Sequence, residues 1–164
     1  MRPQILSRLA GLPVRSPGTA NLRRTGSPRY HSSAHRAMIG TEKKILAVMN
    51  DLLFQVKIMA AAKKLGLTVD FQKDSDTVFE IVKTHPPVVI FDLNYEAAGP
   101  LDLIRRIKAD PETRLVSTVG FVSHVQTELR LKAQESGCDM VIARSAFAQN
   151  ISEILQKYAH SALK

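Results

Sequence analysis

The segment that most constrains the fold of this chain is Pro87 to Asp92 (PVVIFD), where an unbroken apolar run ends on a carboxylate. A strand without polar alternation is covered on both faces, as in the middle of a parallel sheet. Asp92 then lies at the carboxyl end of that strand. Ligands of open α/β sheets bind at this edge, because the loops there bring side chains from several strands together. Asp92 is therefore the first candidate for a functional residue.

Shorter apolar runs alternate with helical patterns on both sides of this segment. Leu52, Val56 and Met59 recur at helical spacing after the first run, and the last helix is predicted to turn residues 151, 154, 155 and 158 inward. Five β-α units predict an α/β fold with a five-stranded parallel sheet, doubly wound as in flavodoxin, in the order 2-1-3-4-5. The predicted strands are Lys44–Met49, Thr68–Gln72, Pro87–Asp92, Val116–Val122 and Asp139–Ala143.

The net charge of +8 is concentrated at the amino terminus. Seven of the 23 lysines and arginines lie in residues 1–41, which contain no acidic residue. Residues 42–164 therefore contain 16 basic and 15 acidic side chains. The predicted domain, residues 42–164, is therefore nearly neutral, and we expect it to bind no nucleic acid. No apolar run approaches the roughly 18 residues that cross a bilayer, so we expect a soluble domain without a membrane partner.

Residues 1–41 are rich in Arg, Ser, Pro and Gly, and we expect them to be disordered, because they cannot bury enough apolar area to offset their conformational entropy. Three interpretations stay open. The segment resembles a transit peptide, which would place the protein in an organelle. It is also compatible with a basic tail, or with a start at Met38 that leaves residues 1–37 out of the native protein. Without a transit peptide, a cytoplasmic location is expected.

Several motifs between Lys43 and Leu155 occur in an order and spacing that is typical of one family. They are residues 44–48 before Asn50-Asp51, residues 89–93, residues 103–108 before 110–114, residues 121–123, and residues 136–139 before 141–144. On these motifs the chain resembles the receiver domains of two-component response regulators. No effector domain follows the predicted domain, so we expect a stand-alone receiver.

The resemblance implies phosphorelay signal transduction. Asp92 would accept a phosphoryl group from a histidine kinase or phosphotransfer protein, which makes the chain a phosphoprotein and not an enzyme. It implies that Mg²⁺ is held by Asp51 and Asn50 together with Asp92, and that Ser123 and Arg144 hold the phosphoryl oxygens. The output would be a surface formed by the fourth strand, the last helix and nearby loops, which binds a downstream protein or a second copy in a homodimer.

Several positions depart from the family pattern. By the spacing of the first helix, the acidic pair of the family falls on Met49 and Asn50, and a one-residue deletion in that helix would move it onto Asn50 and Asp51. Arg144 stands where the family has lysine, and Ser145 stands where it has proline. Arginine presents a planar fork in place of a compact ammonium group, so the exchange is not conservative.

Arg144 leaves a second interpretation open. If it holds Asp92 in a permanent ion pair, the domain is a degenerate receiver that binds its partner constitutively, without phosphorylation. A flavodoxin-like cofactor binder ranks last, because residues 50–53 lack the glycines of a phosphate-binding loop. His124 is interpreted as a loop residue and Cys138 as an inert buried thiol.

Overall fold

A computed structural model of the protein describes residues 43–161. The predicted leader, residues 1–41, lies outside the described residues. Five strands alternate with five α-helices, and a short 3₁₀ helix covers Glu96–Ala98. The elements are β1 (Lys44–Val48), α1 (Leu52–Lys64), β2 (Thr68–Gln72), α2 (Ser75–Val82), β3 (Val89–Asp92), α3 (Pro100–Ala109), β4 (Thr118–Val122), α4 (Thr127–Glu135), β5 (Met140–Ala143) and α5 (Arg144–Ser161).

The strands form one parallel sheet in the order β2-β1-β3-β4-β5. This order confirms the predicted doubly wound fold. β3 lies in the centre, between β1 and β4, and Asp92 is in register with Phe121 of β4. All five predicted strands are present, although β3, β4 and β5 begin one or two residues later than predicted.

The helices cover both faces of the sheet, and each face has its own apolar core. One core joins the sheet to α1 and α5, and the other joins it to α2, α3 and α4. Along β3, Val89 and Phe91 enter the second core, whereas Ile90 enters the first. Every residue of β3 is buried. Coverage of both faces is the reason that this strand shows no polar alternation.

Helix α1 is present where its apolar spacing predicted a helix, but that spacing does not mark its buried face. Leu52, Val56 and Met59 are exposed. The residues that pack against the sheet are Phe54, Ile58, Ala61 and Ala62. α1 therefore has two apolar stripes, of which the one with the phenylalanine is buried.

Helix α5 buries the four residues that were predicted to face inward, namely Ile151, Ile154, Leu155 and Tyr158. Its backbone leaves helical geometry at Asn150, where φ is −115° and ψ is 18°. None of the helices between residues 43 and 161 combines the length and the apolar character that spanning a bilayer requires.

Candidate functional site

Asp92 is the last residue of β3, and its position at the sheet edge buries it almost completely, with 5% of its surface exposed. Its Oδ1 accepts a hydrogen bond from the backbone N–H of Asn94 at 3.0 Å. Burial raises the pKa of this carboxyl group, because desolvation disfavours the charged form; the Asn94 N–H and the Arg144 charge act in the opposite direction. Asp92 is therefore a buried carboxyl group whose charged form is only partly stabilised by the surrounding protein.

Arg144 lies at the same carboxyl edge of the sheet as Asp92, after the strand that is two places from β3. It begins α5 directly after β5, and its Nη1 lies 3.7 Å from Oδ2 of Asp92. Its Nη2 donates a hydrogen bond to Oδ2 of Asp51. The guanidinium carbon also lies 4.4 Å from the ring centroid of Phe54, a position that favours a cation–π contact. One cation thus contacts both carboxylates at this edge and rests on an aromatic ring.

Asp51 caps the amino terminus of α1. Its Oδ1 accepts hydrogen bonds from the backbone N–H groups of Leu53 at 2.9 Å and Phe54 at 3.1 Å, which have no partner within the helix. Its other oxygen is the one that Arg144 binds. Both oxygens of Asp51 are therefore engaged within the protein.

The donor set of this edge does not fit a Mg²⁺ ion. Met49, at a position where the family pattern has an acid, is fully buried in the apolar core beneath α1 and supplies no hard oxygen ligand. The Asn50 side chain is exposed, and Asp51 is engaged by its helix and by Arg144. Within residues 43–161, no group of three or more His, Cys, Asp or Glu side chains could hold a metal ion. Of the predicted ligands, the structure brings only Asp51 and Asp92 to a common partner, and that partner is a cation.

Ser123 follows β4 and lies beside the loop after β3. Its backbone N–H donates to Oδ1 of Asn94 at 3.2 Å, and Asn94 Nδ2 donates to Oε1 of Gln126. Asn94 thus connects the loop that follows Asp92 to the loop that precedes α4. Neither Asn94 nor Gln126 was among the predicted site residues. The position of Asn94, two residues after the carboxylate that ends β3, could have indicated a role at the site. No feature of the sequence indicated a role for Gln126.

Two further residues singled out in the sequence lie away from this cluster. His124 is exposed in the loop after β4. Cys138 is buried, and desolvation raises the pKa of its thiol. A raised thiol pKa lowers the fraction of reactive thiolate, in agreement with the predicted inert thiol.

No family model matches the sequence, and no curated protein matches it. Solved structures do resemble the fold. The response regulator of Hahella chejuensis is 14% identical with a TM-score of 0.63, and the match covers 71% of this chain and 94% of that one. The chain has the fold of receiver domains. The phosphorylated cyanobacterial phytochrome response regulator RcpA aligns with this receiver fold at 16% identity and a TM-score of 0.62, covering 73% of this chain and 96% of its own.

A third structure of similar fold contains a metal ion. The receiver domain of a Pseudomonas aeruginosa sensor histidine kinase is 19% identical with a TM-score of 0.61, and the match covers 71% of this chain and 96% of that domain. That domain has a magnesium ion coordinated in its active-site cleft. In the present chain, the guanidinium of Arg144 contacts Asp51 and Asp92 at the carboxyl edge of the sheet.

Proposed function

We propose that this domain is a degenerate receiver that acts in signal transduction as a protein-interaction module and works without phosphorylation. The observation that supports this proposal is the contact of Arg144 with both Asp51 and Asp92. In this role the output is a bound partner and not a reaction product, so the domain is proposed not to be an enzyme. The proposed location is the cytoplasm, or an organelle if residues 1–37 are a transit peptide.

The geometry around Asp92 opposes efficient phosphoryl transfer. An aspartate that attacks a phosphoryl group needs an accessible oxygen and a divalent cation that neutralises the gathering charge. Here one oxygen accepts a hydrogen bond from Asn94 and the other faces Arg144 at 3.7 Å. Arginine also supplies a single positive charge spread over a planar group, which replaces neither the charge nor the coordination of Mg²⁺.

A second candidate is a receiver that is phosphorylated on Asp92 by a histidine kinase or phosphotransfer protein and then binds a downstream protein. Its supporting observation is the position of Asp92 and Ser123 at the carboxyl ends of the paired strands β3 and β4. In this alternative, Ser123 and Arg144 would contact the phosphoryl oxygens, and Arg144 would have to leave Asp51 for Mg²⁺ to enter.

Intact-protein mass spectrometry separates the two candidates. The full chain is incubated with Mg²⁺ and acetyl phosphate, and we expect no added phosphoryl group, because Arg144 engages both carboxylates that would bind the metal. We also expect Mg²⁺ to leave the melting temperature unchanged. An added phosphoryl mass that is absent from Asp92→Asn would contradict the proposal.

A matched gain-of-function variant shows whether the substituted positions are responsible. Asn50→Asp combined with Arg144→Lys places a second carboxylate beside Asp51 and a compact ammonium group at position 144, and both substituted positions are exposed or partly exposed. We expect this double variant to gain both Mg²⁺-dependent stabilisation and a phosphoryl group on Asp92. If it gains neither, the loss of phosphotransfer has another origin.

A further inference from the structure

The loop that joins β4 to α4, residues 123–126, is held at both of its ends by the side chain of Asn94. Oδ1 of Asn94 accepts a hydrogen bond from the backbone N–H of Ser123 at 3.2 Å, and Nδ2 of Asn94 donates one to Oε1 of Gln126. The backbone N–H of Gln126 donates to the carbonyl of Ser123 at 3.1 Å, which closes the loop into a tight turn. One side chain therefore contacts both the first and the last residue of this turn.

Asn94 is itself fixed to the central strand of the sheet. Its backbone N–H donates to Oδ1 of Asp92 at 3.0 Å, and the backbone N–H of Tyr95 donates to the carbonyl of Asp92 at 3.0 Å. Asp92 ends β3, and every residue of β3 is buried. A continuous series of hydrogen bonds thus runs from Asp92 through Asn94 to the turn that precedes α4.

The side chain of Gln126 bonds to Asn94 and not to its own helix. Gln126 directly precedes α4, and its side chain makes no capping hydrogen bond to that helix. Gln126 is partly buried, although His124, Val125 and Thr127 around it are exposed, with 72% of the surface of Val125 accessible. The bond to Asn94 accounts for the inward orientation of Gln126.

The carboxamide group of asparagine suits this position because it offers an acceptor and a donor at the same time. The N–H of Ser123 needs the acceptor, and Oε1 of Gln126 needs the donor. Ser123 takes part through its backbone, so this link does not use the serine hydroxyl. The resemblance to receiver domains, in contrast, implied that Ser123 holds the phosphoryl oxygens.

We propose that Asn94 is a positioning residue that holds the turn after β4 in one conformation without a phosphoryl group on Asp92. The turn belongs to the loops of the output surface expected from the sequence, and Asn94 fixes how His124 and Val125 are exposed there. The inference rests on the proposed function, because it explains how an interaction module keeps one surface conformation when Asp92 is not phosphorylated.

The proposal is tested by amide-proton exchange, measured residue by residue by NMR on the ¹⁵N-labelled full chain. We expect Asn94→Ala to raise the exchange rates at Ser123 and Gln126 about fivefold or more, because loss of the link lets the turn open. The rate at Leu46, whose N–H donates within the sheet, should change less. Asn150→Ala is the matched control, since Asn150 Nδ2 donates to a backbone carbonyl in α5, and it should leave the turn unchanged.

Three further variants separate the amide from the serine hydroxyl. Ser123→Ala keeps the backbone N–H that donates to Asn94, so exchange at Gln126 should stay as in the wild type. Asn94→Asp should keep most of the protection, because its carboxylate accepts from Ser123 and the Gln126 amide can turn to donate to it. Gln126→Ala removes one of the two contacts, so its effect at Ser123 should be smaller than that of Asn94→Ala. It also tests the link independently if Asn94→Ala does not fold.

The remaining outcomes contradict the proposal. Wild-type exchange at Ser123 in both Asn94→Ala and Gln126→Ala would show that the turn keeps its conformation without the link. An equal effect of Ser123→Ala would assign the role to the hydroxyl, and an equal rise at Leu46 would show a general loss of stability.

The acetyl phosphate experiment reports on Asp92 alone, so its result is independent of these exchange rates. A phosphoryl mass, together with the expected effect of Asn94→Ala, refutes only the proposed function. Absence of both refutes only this inference.

Discussion

A cation lies beside one aspartate at the amino end of the sheet and beside two at the carboxyl end, and the two ends differ in how many hydrogen bonds these carboxylates accept. At the amino end, Oδ2 of Asp139 accepts hydrogen bonds from Lys108 Nζ at 2.6 Å, Thr118 N at 2.7 Å and Thr118 Oγ1 at 2.9 Å. Lys108 Nζ also donates to the carbonyl of Val116 at 2.8 Å. These contacts tie α3 to the starts of β4 and β5. The group of Lys108, Thr118 and Asp139 is called the amino-end cluster.

The group at the carboxyl end consists of Asp51, Asp92 and Arg144 and is called the carboxyl-end cluster. Its buried carboxylate, Asp92, accepts fewer hydrogen bonds than Asp139 does. Asp92 accepts one hydrogen bond, and its distance of 3.7 Å to Arg144 is too long for another. The difference shows which cluster stabilises the fold. Charges that serve only structure are satisfied by short hydrogen bonds, whereas functional positions keep groups whose solvation is incomplete.

Asp139→Ala is expected to have the largest effect on stability. The substitution leaves the N–H and hydroxyl of the fully buried Thr118 without their acceptor, so the free energy of unfolding should fall by about 2–3 kcal/mol in urea denaturation. Asp139→Asn keeps an acceptor oxygen and should lose less. Asp102→Ala is the control for an exposed ion pair, with an expected loss below about 0.5 kcal/mol. If Asp139→Ala costs no more than this control, the amino-end cluster is not structural.

Arg144→Met is expected to have an intermediate effect. The substitution removes the cation that lies beside both carboxylates of the carboxyl-end cluster. The apolar methionine side chain keeps part of the contact with Phe54. Because Arg144 is about a third exposed, water compensates for part of this loss, and the free energy of unfolding should fall by roughly 1–2 kcal/mol.

Arg144→Lys separates charge from geometry in the same measurement. It keeps a positive charge but cannot contact two carboxylates with a planar fork, so its stability should lie between those of the wild type and Arg144→Met. A loss equal to that of Arg144→Met would show that the fork, and not the charge, holds the cluster together.

The sequence was sufficient to predict the architecture, because apolar runs separated by glycine and proline mark the strands of a parallel sheet. The same logic located Asp92 at the carboxyl edge of the sheet, whereas Ser123 and Arg144 were candidates only through the resemblance to receiver domains. It did not predict the link from Asn94 to Gln126, which depends on the conformations of two loops. It also did not identify the exposed face of α1. Two apolar stripes on one helix satisfy the same periodicity, and only packing against the sheet decides which is buried.

Asp92→Asn is expected to have the smallest effect on stability. Its direction is the opposite of that expected for Asp139→Ala, so it separates the two clusters. Burial raises the pKa of Asp92 in the folded protein above its ordinary value of 3.8, so its contribution to stability is greatest below that value and is lost as the pH rises through the folded pKa. Asparagine removes this dependence while it keeps an acceptor for the Asn94 N–H. At neutral pH the variant should therefore be as stable as the wild type or more stable, by roughly 1 kcal/mol or less.

Asp70→Asn provides the control of opposite sign for this last measurement. The hydrogen bond from Lys44 lowers the pKa of Asp70, so its contribution is present above 3.8 and is lost as the pH falls. Thermal unfolding from acid to neutral pH should show the wild type more stable than Asp70→Asn at neutral pH, with the difference disappearing in acid. In the comparison with Asp92→Asn, the stability of the wild type relative to the variant should fall as the pH rises. A destabilised Asp92→Asn at neutral pH would mean that the charge of Asp92 contributes to the fold as that of Asp70 does, and that Arg144 stabilises it fully.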